Sequence, residues 1–326
     1  MSLLPTPPPS LRTIPATSAA SSTVALRPVV ILPGLGNNTG DYKDMAMTLR
    51  EGYGIPSMVA RVSRVDWLRH AAALLSPGFW KGSLRPRPLI DWFCTVLAAL
   101  TLFTATAEWQ YLERVAEAVA EAKLLLEDGG SISLVGHSAG GWLARIYMEE
   151  FGMSRISLLL TLGSPHLPPP KGLPGVIDQT RGLLDYIEKN CAPAVYTPEL
   201  KYICIAGRYI QGAPLFGNSN DPSCDPMLVG EELNKIKLPA KYSNDKSLLS
   251  APSLHARFVG QSYKQVCGQA DVWGDGVVPE VSAHLEGALN ISLDGVYHSP
   301  VGSDGTIRPW FGSASVLKRW VHHLLT

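Results

Sequence analysis

The chain predicts an α/β fold: a mostly parallel central sheet with helices on both faces, plus lid or cap insertions. Three observations carry that prediction. Short, continuous apolar runs recur at Val29–Leu32, Ile132–Val135, Ile156–Leu162 and Leu200–Gly207, and strands apolar on both faces belong to buried parallel sheets. Runs of helical period alternate with them. Finally, Ser131–Arg145 joins a strand directly to a helix through a glycine-pinched turn with Ser138 at its apex.

That turn organises the reading. Gly136 and Gly140 flank Ser138 at two residues on either side, as a sharp strand-to-helix turn requires. A bare G-x-S-x-G arises by chance in glycine- and serine-rich chains. Here an apolar strand precedes it and an amphipathic run (Leu143, Ile146, Tyr147, Phe151) follows it, the setting of a nucleophile elbow. The first N–H groups of that helix, with its positive end, would face an oxygen gaining negative charge.

Size and composition set the outer bounds. A chain of 326 residues accommodates one large α/β domain. Its formal charge is zero and only 17% of its residues are charged, which gives no support to nucleic-acid binding or to a polybasic membrane patch. Apolar residues make up 46%, consistent with a buried sheet and an apolar cleft. The five cysteines (Cys94, Cys191, Cys204, Cys224, Cys267) form no C-x-x-C pair, so neither a zinc site nor a disulfide framework is indicated. A Cys191–Cys224 bridge in a surface excursion stays open. No His or carboxylate cluster has metal-ligand spacing, and no cofactor is expected.

Residues 1–27 are rich in Ser, Thr, Ala and Pro, carry Arg12 and Arg27, and hold no acid; the first is Asp41. This composition reads as an organellar transit segment, plastid rather than mitochondrial, with a disordered tail on a cytoplasmic protein as the alternative. The α/β domain is expected over 28–326, with insertions at about 67–107 and 165–260.

Within it, Pro28–Leu32 is a strand ending in the small-residue loop Pro33-Gly34-Leu35-Gly36, where the backbone of Leu35 could approach a substrate oxygen. Asn37-Asn38-Thr39 is formally a glycosylation sequon, not expected to be modified in a buried loop. Tyr42–Arg50 reads as a helix and Ser57–Val62 as the next strand. Phe93–Ala107 is uncharged and apolar but short of the ~20 residues that span a bilayer, so it reads as a buried helix or an apolar lid touching lipid or substrate. Glu113–Glu127 is an amphipathic helix with Val115, Val119 and Ala122 on its apolar face, ended by Gly129-Gly130. Beyond the strand at Ile156–Leu162, the chain to Glu199 is mixed. Residues 208–254 are loop-rich, a lid or substrate cap. A helix over Ser253–Gln265, a strand over Asn290–Leu293 and a helix over Val316–Leu325 complete the chain.

A serine hydroxyl needs an imidazole to take its proton, and the imidazole needs a carboxylate to fix its tautomer. Asp275, in the glycine-flanked turn Gly274-Asp275-Gly276, and His298, in the loop after the last strand, supply them in the chain order Ser, Asp, His. Asp271 and His284 stay open as alternatives to Asp275 and His298, whereas Asp294 lies too near His298 in sequence. His137 and His166 are expected to orient loops, and His322 and His323 to lie on the surface.

Val-Gly-His-Ser-Ala-Gly-Gly, Leu-Pro-Gly-Leu-Gly, Leu-Gly-Ser-Pro-His and Gly-Asp-Gly-Val-Val-Pro followed by a histidine resemble the lipase/esterase branch of the α/β-hydrolase superfamily. They are similar to its plant and cyanobacterial inositol-deacylase-like members, over about residues 28–164 and 271–325. The resemblance implies Ser138 as nucleophile, His298 as base, Asp275 as orienting acid, and the N–H groups of Leu35 and Ala139 as the oxyanion hole. Where many lipases have His-Gly in the oxyanion loop, this chain has Pro33-Gly34, which keeps the backbone donors. The function so implied is hydrolysis of a carboxylic ester of a small-molecule or lipid substrate through an acyl-serine, with a peripheral membrane contact. The same triad serves thioesterases and acyltransferases, and a non-catalytic small-molecule receptor on a hydrolase fold is the rival of another class.

Overall fold

The computed structural model describes residues 26–64, 110–180, 182–215 and 252–325. All but the last two residues of the expected transit segment or tail over 1–27, the expected insertion over 67–107 with its apolar Phe93–Ala107 run, Cys94, Cys224 and most of the loop-rich 208–254 segment lie outside the described residues.

Eight strands are described: β1 (Val29–Leu32), β2 (Ser57–Val59), β3 (Ile132–His137), β4 (Ile156–Leu162), β5 (Lys201–Arg208), β6 (Ile210–Gln211), β7 (Trp273–Gly274) and β8 (Leu289–Asp294). Seven α-helices accompany them: α1 (Lys43–Met47), α2 (Gln110–Lys123), α3 (Ala139–Phe151), α4 (Leu183–Asn190), α5 (Leu254–Cys267), α6 (Glu280–Ala283) and α7 (Ala314–Trp320). Six strands form one sheet in the order β2-β1-β3-β4-β5-β8, and every neighbouring pair in it is parallel. The short β6 and β7 pair antiparallel beside it.

Alternation along the buried strands divides the core into two layers. Val30, Leu32, Leu134 and Leu159 face α2, α3 and α4, packing with Val115, Val119, Leu143 and Ile187. Val29, Ile31, Val135 and Leu160 face the other way, onto α1 and α7, where Met45, Leu317 and Trp320 are buried. The central sheet is therefore covered on both faces, as its apolar strands demand.

Strand order also locates the functional edge. From β1 the chain goes outward to β2, then returns to the other side of β1 for β3. The connections thus reverse direction between β1 and β3, and in open α/β sheets ligands bind outside the carboxyl ends of the strands at such a switch point. The loops Pro33–Asn38 and Ser138–Ala139 emerge there.

Several elements differ in extent from expectation. The helix expected over Tyr42–Arg50 is a 3₁₀ turn (Thr39–Tyr42), α1 and a wider turn over Thr48–Gly52; Asn38 caps it by a reciprocal bond with Asp41. The β2 strand stops at Val59. The α2 helix ends at Lys123, short of Glu127, because Leu124 and Leu125 are exposed and offer no buried stripe to extend it. The α4 helix, begun after Gly182, falls in a segment that gave no clear period.

Trp320 is fully buried and its Nε1–H donates to the Phe311 carbonyl at 2.9 Å. Trp320→Ala is expected to lower stability by about 3–5 kcal/mol through the cavity and the orphaned carbonyl; urea unfolding of the two proteins checks it.

Candidate functional site

Ser138 closes β3 and caps α3 with φ of 52° and ψ of −123°, a region that costs a non-glycine residue on the order of 1–3 kcal/mol. The turn is held from both sides. Its N–H donates to the Leu162 carbonyl at 2.9 Å, and its carbonyl accepts from Gly141 at 3.1 Å. A Cβ on Gly140 would lie 2.8 Å from the Leu32 carbonyl carbon, so only glycine lets α3 start this close to β1.

Asp275 follows β7 and is completely buried. Its Oδ1 accepts from the N–H groups of Val277 at 3.0 Å and Val278 at 2.7 Å, which turns Oδ2 toward His298. Tyr263 of α5 supports the same turn: its hydroxyl accepts from Gly276 N–H at 2.8 Å and donates to the Ile210 carbonyl at 3.3 Å. His298 follows β8, with its N–H bonded to the Asp275 carbonyl at 3.0 Å.

The three side chains meet in one line. His298 Nδ1 lies 2.7 Å from Asp275 Oδ2, and His298 Nε2 lies 3.1 Å from Ser138 Oγ. With the carboxylate accepting, Nδ1 carries the proton and Nε2 is left to accept from the serine hydroxyl. Of the alternatives, Asp271 is at the surface beside β7, where only its carbonyl is bonded, to Gln211. His284 instead lies 3.3 Å from Ser292 Oγ. Asp294 pairs with Arg208 at 3.4 Å and is solvent-exposed. None of these three reaches the serine.

A second buried network, absent from the sequence-level picture, runs through Tyr42. Its hydroxyl accepts from Gly34 N–H at 2.9 Å and from Asn37 Nδ2 at 3.2 Å. With both lone pairs taken, the hydroxyl proton goes to His137 Nδ1, 2.7 Å away. His137 is thereby left with its proton on Nε2, which donates to the His298 carbonyl at 2.9 Å. Burial, and then the neighbouring His298, hold His137 well below the usual histidine range, so the ring is neutral as this pattern requires. Trp310 closes over both rings edge-on, 5.6 Å from each. The expected loop-orienting role of His137 thus has a concrete form: it joins the loop after β1 to the loop after β8.

The Leu35 N–H lies in the loop after β1 and the Ala139 N–H in the first turn of α3, directly after Ser138. Neither is spent on an acceptor among the described residues. Gly34 permits the approach of the first loop, since a Cβ there would stand 2.8 Å from that of Ser138. His166 follows β4, where its Nε2 lies 3.0 Å from Thr161 Oγ1 and its N–H donates to Ser282 at 2.8 Å. It does not touch the line either. Among the described residues no cluster of His, Cys, Asp and Glu could hold a metal ion.

A parallel sheet of this order, a serine elbow at its switch point, and an acid and a histidine on later strand ends define the α/β-hydrolase fold. In sequence, residues 97–188, which contain the elbow, match the family described as the PGAP1-like alpha/beta domain. Similar solved structures include the mature lipase BlEst2 of Bacillus licheniformis, 14% identical, with 93% of each chain covered and a TM-score of 0.44. A thermophilic esterase of Thermogutta terrifontis is 9% identical over 92% of this chain and 91% of its own, with a TM-score of 0.40. The poly(3-hydroxybutyrate) depolymerase LpqC of Bordetella parapertussis is 14% identical over 86% and 76%, with a TM-score of 0.39. No curated protein matches the chain in sequence.

His137 and His166, both fully buried, make the fold acid-sensitive. Burial is the first cause for both, and His166, also near the Arg145 guanidinium, is pushed down to about 3. In the unfolded chain each returns to about 6.5. Below that pH the unfolded state takes up protons the folded state refuses, so stability present at neutral pH is lost as pH falls toward the folded values. The slope is about 1.4 kcal/mol per pH unit per histidine. Urea titrations at pH 7, 5.5 and 4.5 should show this decline, and His166→Gln should flatten it.

Proposed function

We propose that this protein is a serine hydrolase that cleaves a carboxylic ester of an apolar or lipid-derived substrate through an acyl-serine intermediate. The observation that carries the reading is the Asp275–His298–Ser138 line, with the serine hydroxyl lifted from a positive-φ elbow.

Each group has a defined task. His298 Nε2 takes the proton of Ser138 Oγ as the oxygen attacks the ester carbonyl, and Asp275 holds the resulting imidazolium. The carbonyl oxygen, now negative, is received by the Leu35 N–H of the loop after β1 and the Ala139 N–H at the start of α3. His298 then gives its proton to the departing alkoxide, leaving an acyl-serine. Water, deprotonated by the same imidazole, attacks the acyl carbon and releases the carboxylic acid and free serine.

Exposed apolar residues in the loops that carry or neighbour the triad support an apolar substrate. Leu35, Leu167, Val277 and Val301 stand in the loops after β1, β4, β7 and β8, and all are 41–61% exposed. The match of residues 97–188 to the PGAP1-like alpha/beta domain agrees with an α/β hydrolase but leaves the acyl group to experiment.

A fluorophosphonate probe should label the wild-type chain and not Ser138→Ala. Asp275→Asn should retain the fold and lose roughly 10³–10⁴ in kcat, because the imidazole is held in the wrong tautomer. Absence of labelling, or labelling that persists in Ser138→Ala, would leave a receptor on a hydrolase fold as the better account.

Acyl preference is read from p-nitrophenyl esters. At about 0.8 kcal/mol per buried methylene, two buried methylenes already correspond to more than a tenfold gain. The octanoate ester should therefore exceed the acetate ester in kcat/KM by at least about tenfold. A preference for acetate would overturn the lipid assignment.

A further inference from the structure

A second cavity lies at the opposite end of the sheet. Arg145 sits on α3 two turns beyond Ser138, about 10 Å along the helix at 1.5 Å per residue. The cavity opens between the second half of α3 and the segment leading into β5, with a volume of about 210 Å³. This is the entrance end of the parallel strands, away from the Ser138 loops.

Its chemistry is unusual. Arg145 lines it, is only 4% exposed, and has no ion-pair partner among the described residues. The guanidinium reaches the Ala192 carbonyl at a long 3.5 Å and interacts with the Tyr202 hydroxyl, while Nε–H is buried with no acceptor. A buried positive charge left this incompletely bonded is costly, and an anion that supplies both charge and acceptors offsets the cost. The planar guanidinium fork matches a carboxylate. The remaining wall is mainly apolar, with Met148, Met153, Val195 and Leu200, a lining suited to a short hydrocarbon chain and hostile to a hydrated dianion. Glu149, one turn after Arg145, also borders the cavity and opposes an anion there.

We infer that this cavity binds a short-chain aliphatic carboxylate, its carboxylate on Arg145 and its chain against Met148, Met153, Val195 and Leu200. A volume below the usual range of about 300–1,000 Å³ for drug-sized ligands limits the chain to a few carbons. The site is separate from the Ser138 cleft, and ligand binding here requires no turnover.

Isothermal titration of the full-length Ser138→Ala protein with sodium hexanoate tests it, with 1-hexanol and inorganic phosphate as comparators. Saturable hexanoate binding is expected, at least tenfold tighter than either comparator. Arg145→Gln should weaken it at least tenfold and Glu149→Gln should tighten it. Ala192 is exposed on the cavity wall, so Ala192→Trp should plug the cavity without disturbing the core and also weaken binding at least tenfold. This second variant decides the matter should Arg145→Gln fail to fold. No binding, equal binding of hexanol or of phosphate, or hexanoate binding untouched by Ala192→Trp, which would place it in the Ser138 cleft, overturns the assignment. Because no ester is cleaved in this experiment, its failure leaves the hydrolase reading standing, and the loss of that reading leaves this one.

Discussion

The Tyr42 hydroxyl is the tie on which the geometry of the site depends. It is bonded on three sides, to Gly34 N–H, Asn37 Nδ2 and His137 Nδ1, and through His137 to the backbone of His298. One buried oxygen thus sets the loop carrying Leu35 relative to the loop carrying the imidazole. Such a network holds only in one protonation state. Burial drives His137 neutral and keeps the Tyr42 phenol well above the usual tyrosine range, so both rings stay in the forms that the pattern of donors and acceptors demands.

The strain at Ser138 is affordable because its surroundings are over-determined. The elbow is fixed by Leu162, which closes β4, and by close contact of Gly140 with Leu32, which closes β1. Both neighbours belong to buried strands whose apolar residues leave no room to relax. The positive φ therefore reflects a demand of the sheet and α3 together, and its consequence is a hydroxyl held within 3.1 Å of an imidazole.

What the sequence disclosed follows from the range of the interactions involved. Strands β1, β3, β4 and β5 were legible because burial on both faces forces a local run of apolar residues, and the elbow because a sharp turn forces glycine at fixed offsets. Asp275 and His298 were legible by order along the chain, and the structure brings both to Ser138. The preference for Asp275 over Asp271 became decisive only through the Val277 and Val278 N–H groups that aim its carboxylate. Tyr42 left no local sign: a tyrosine in a helical turn looks like any core aromatic, and its partner His137 is 95 residues away. The β6–β7 pair likewise joins two residues to two across a long separation, too short for any period to reveal. For α4, Gly182 and nearby prolines obscured eight residues of helix.

Arg145 shows the same limit at the other end of α3. In sequence it continues the amphipathic run after the elbow, where an arginine normally marks the solvated side of a helix. The register of α3 instead places it toward β5, since β3 and β4 on the sheet bury the flanking Leu143, Ala144 and Ile146. The helix that presents free N–H groups to the Ser138 cleft thus carries a buried cation to the far edge of the sheet. Its two ends differ in what they can attract: at the first, oriented backbone donors suit a charge that exists only while a bond is being broken. At the second, a permanent guanidinium in an apolar wall suits a charge already formed, which is why an anion stable in its ground state belongs there and a reacting ester does not.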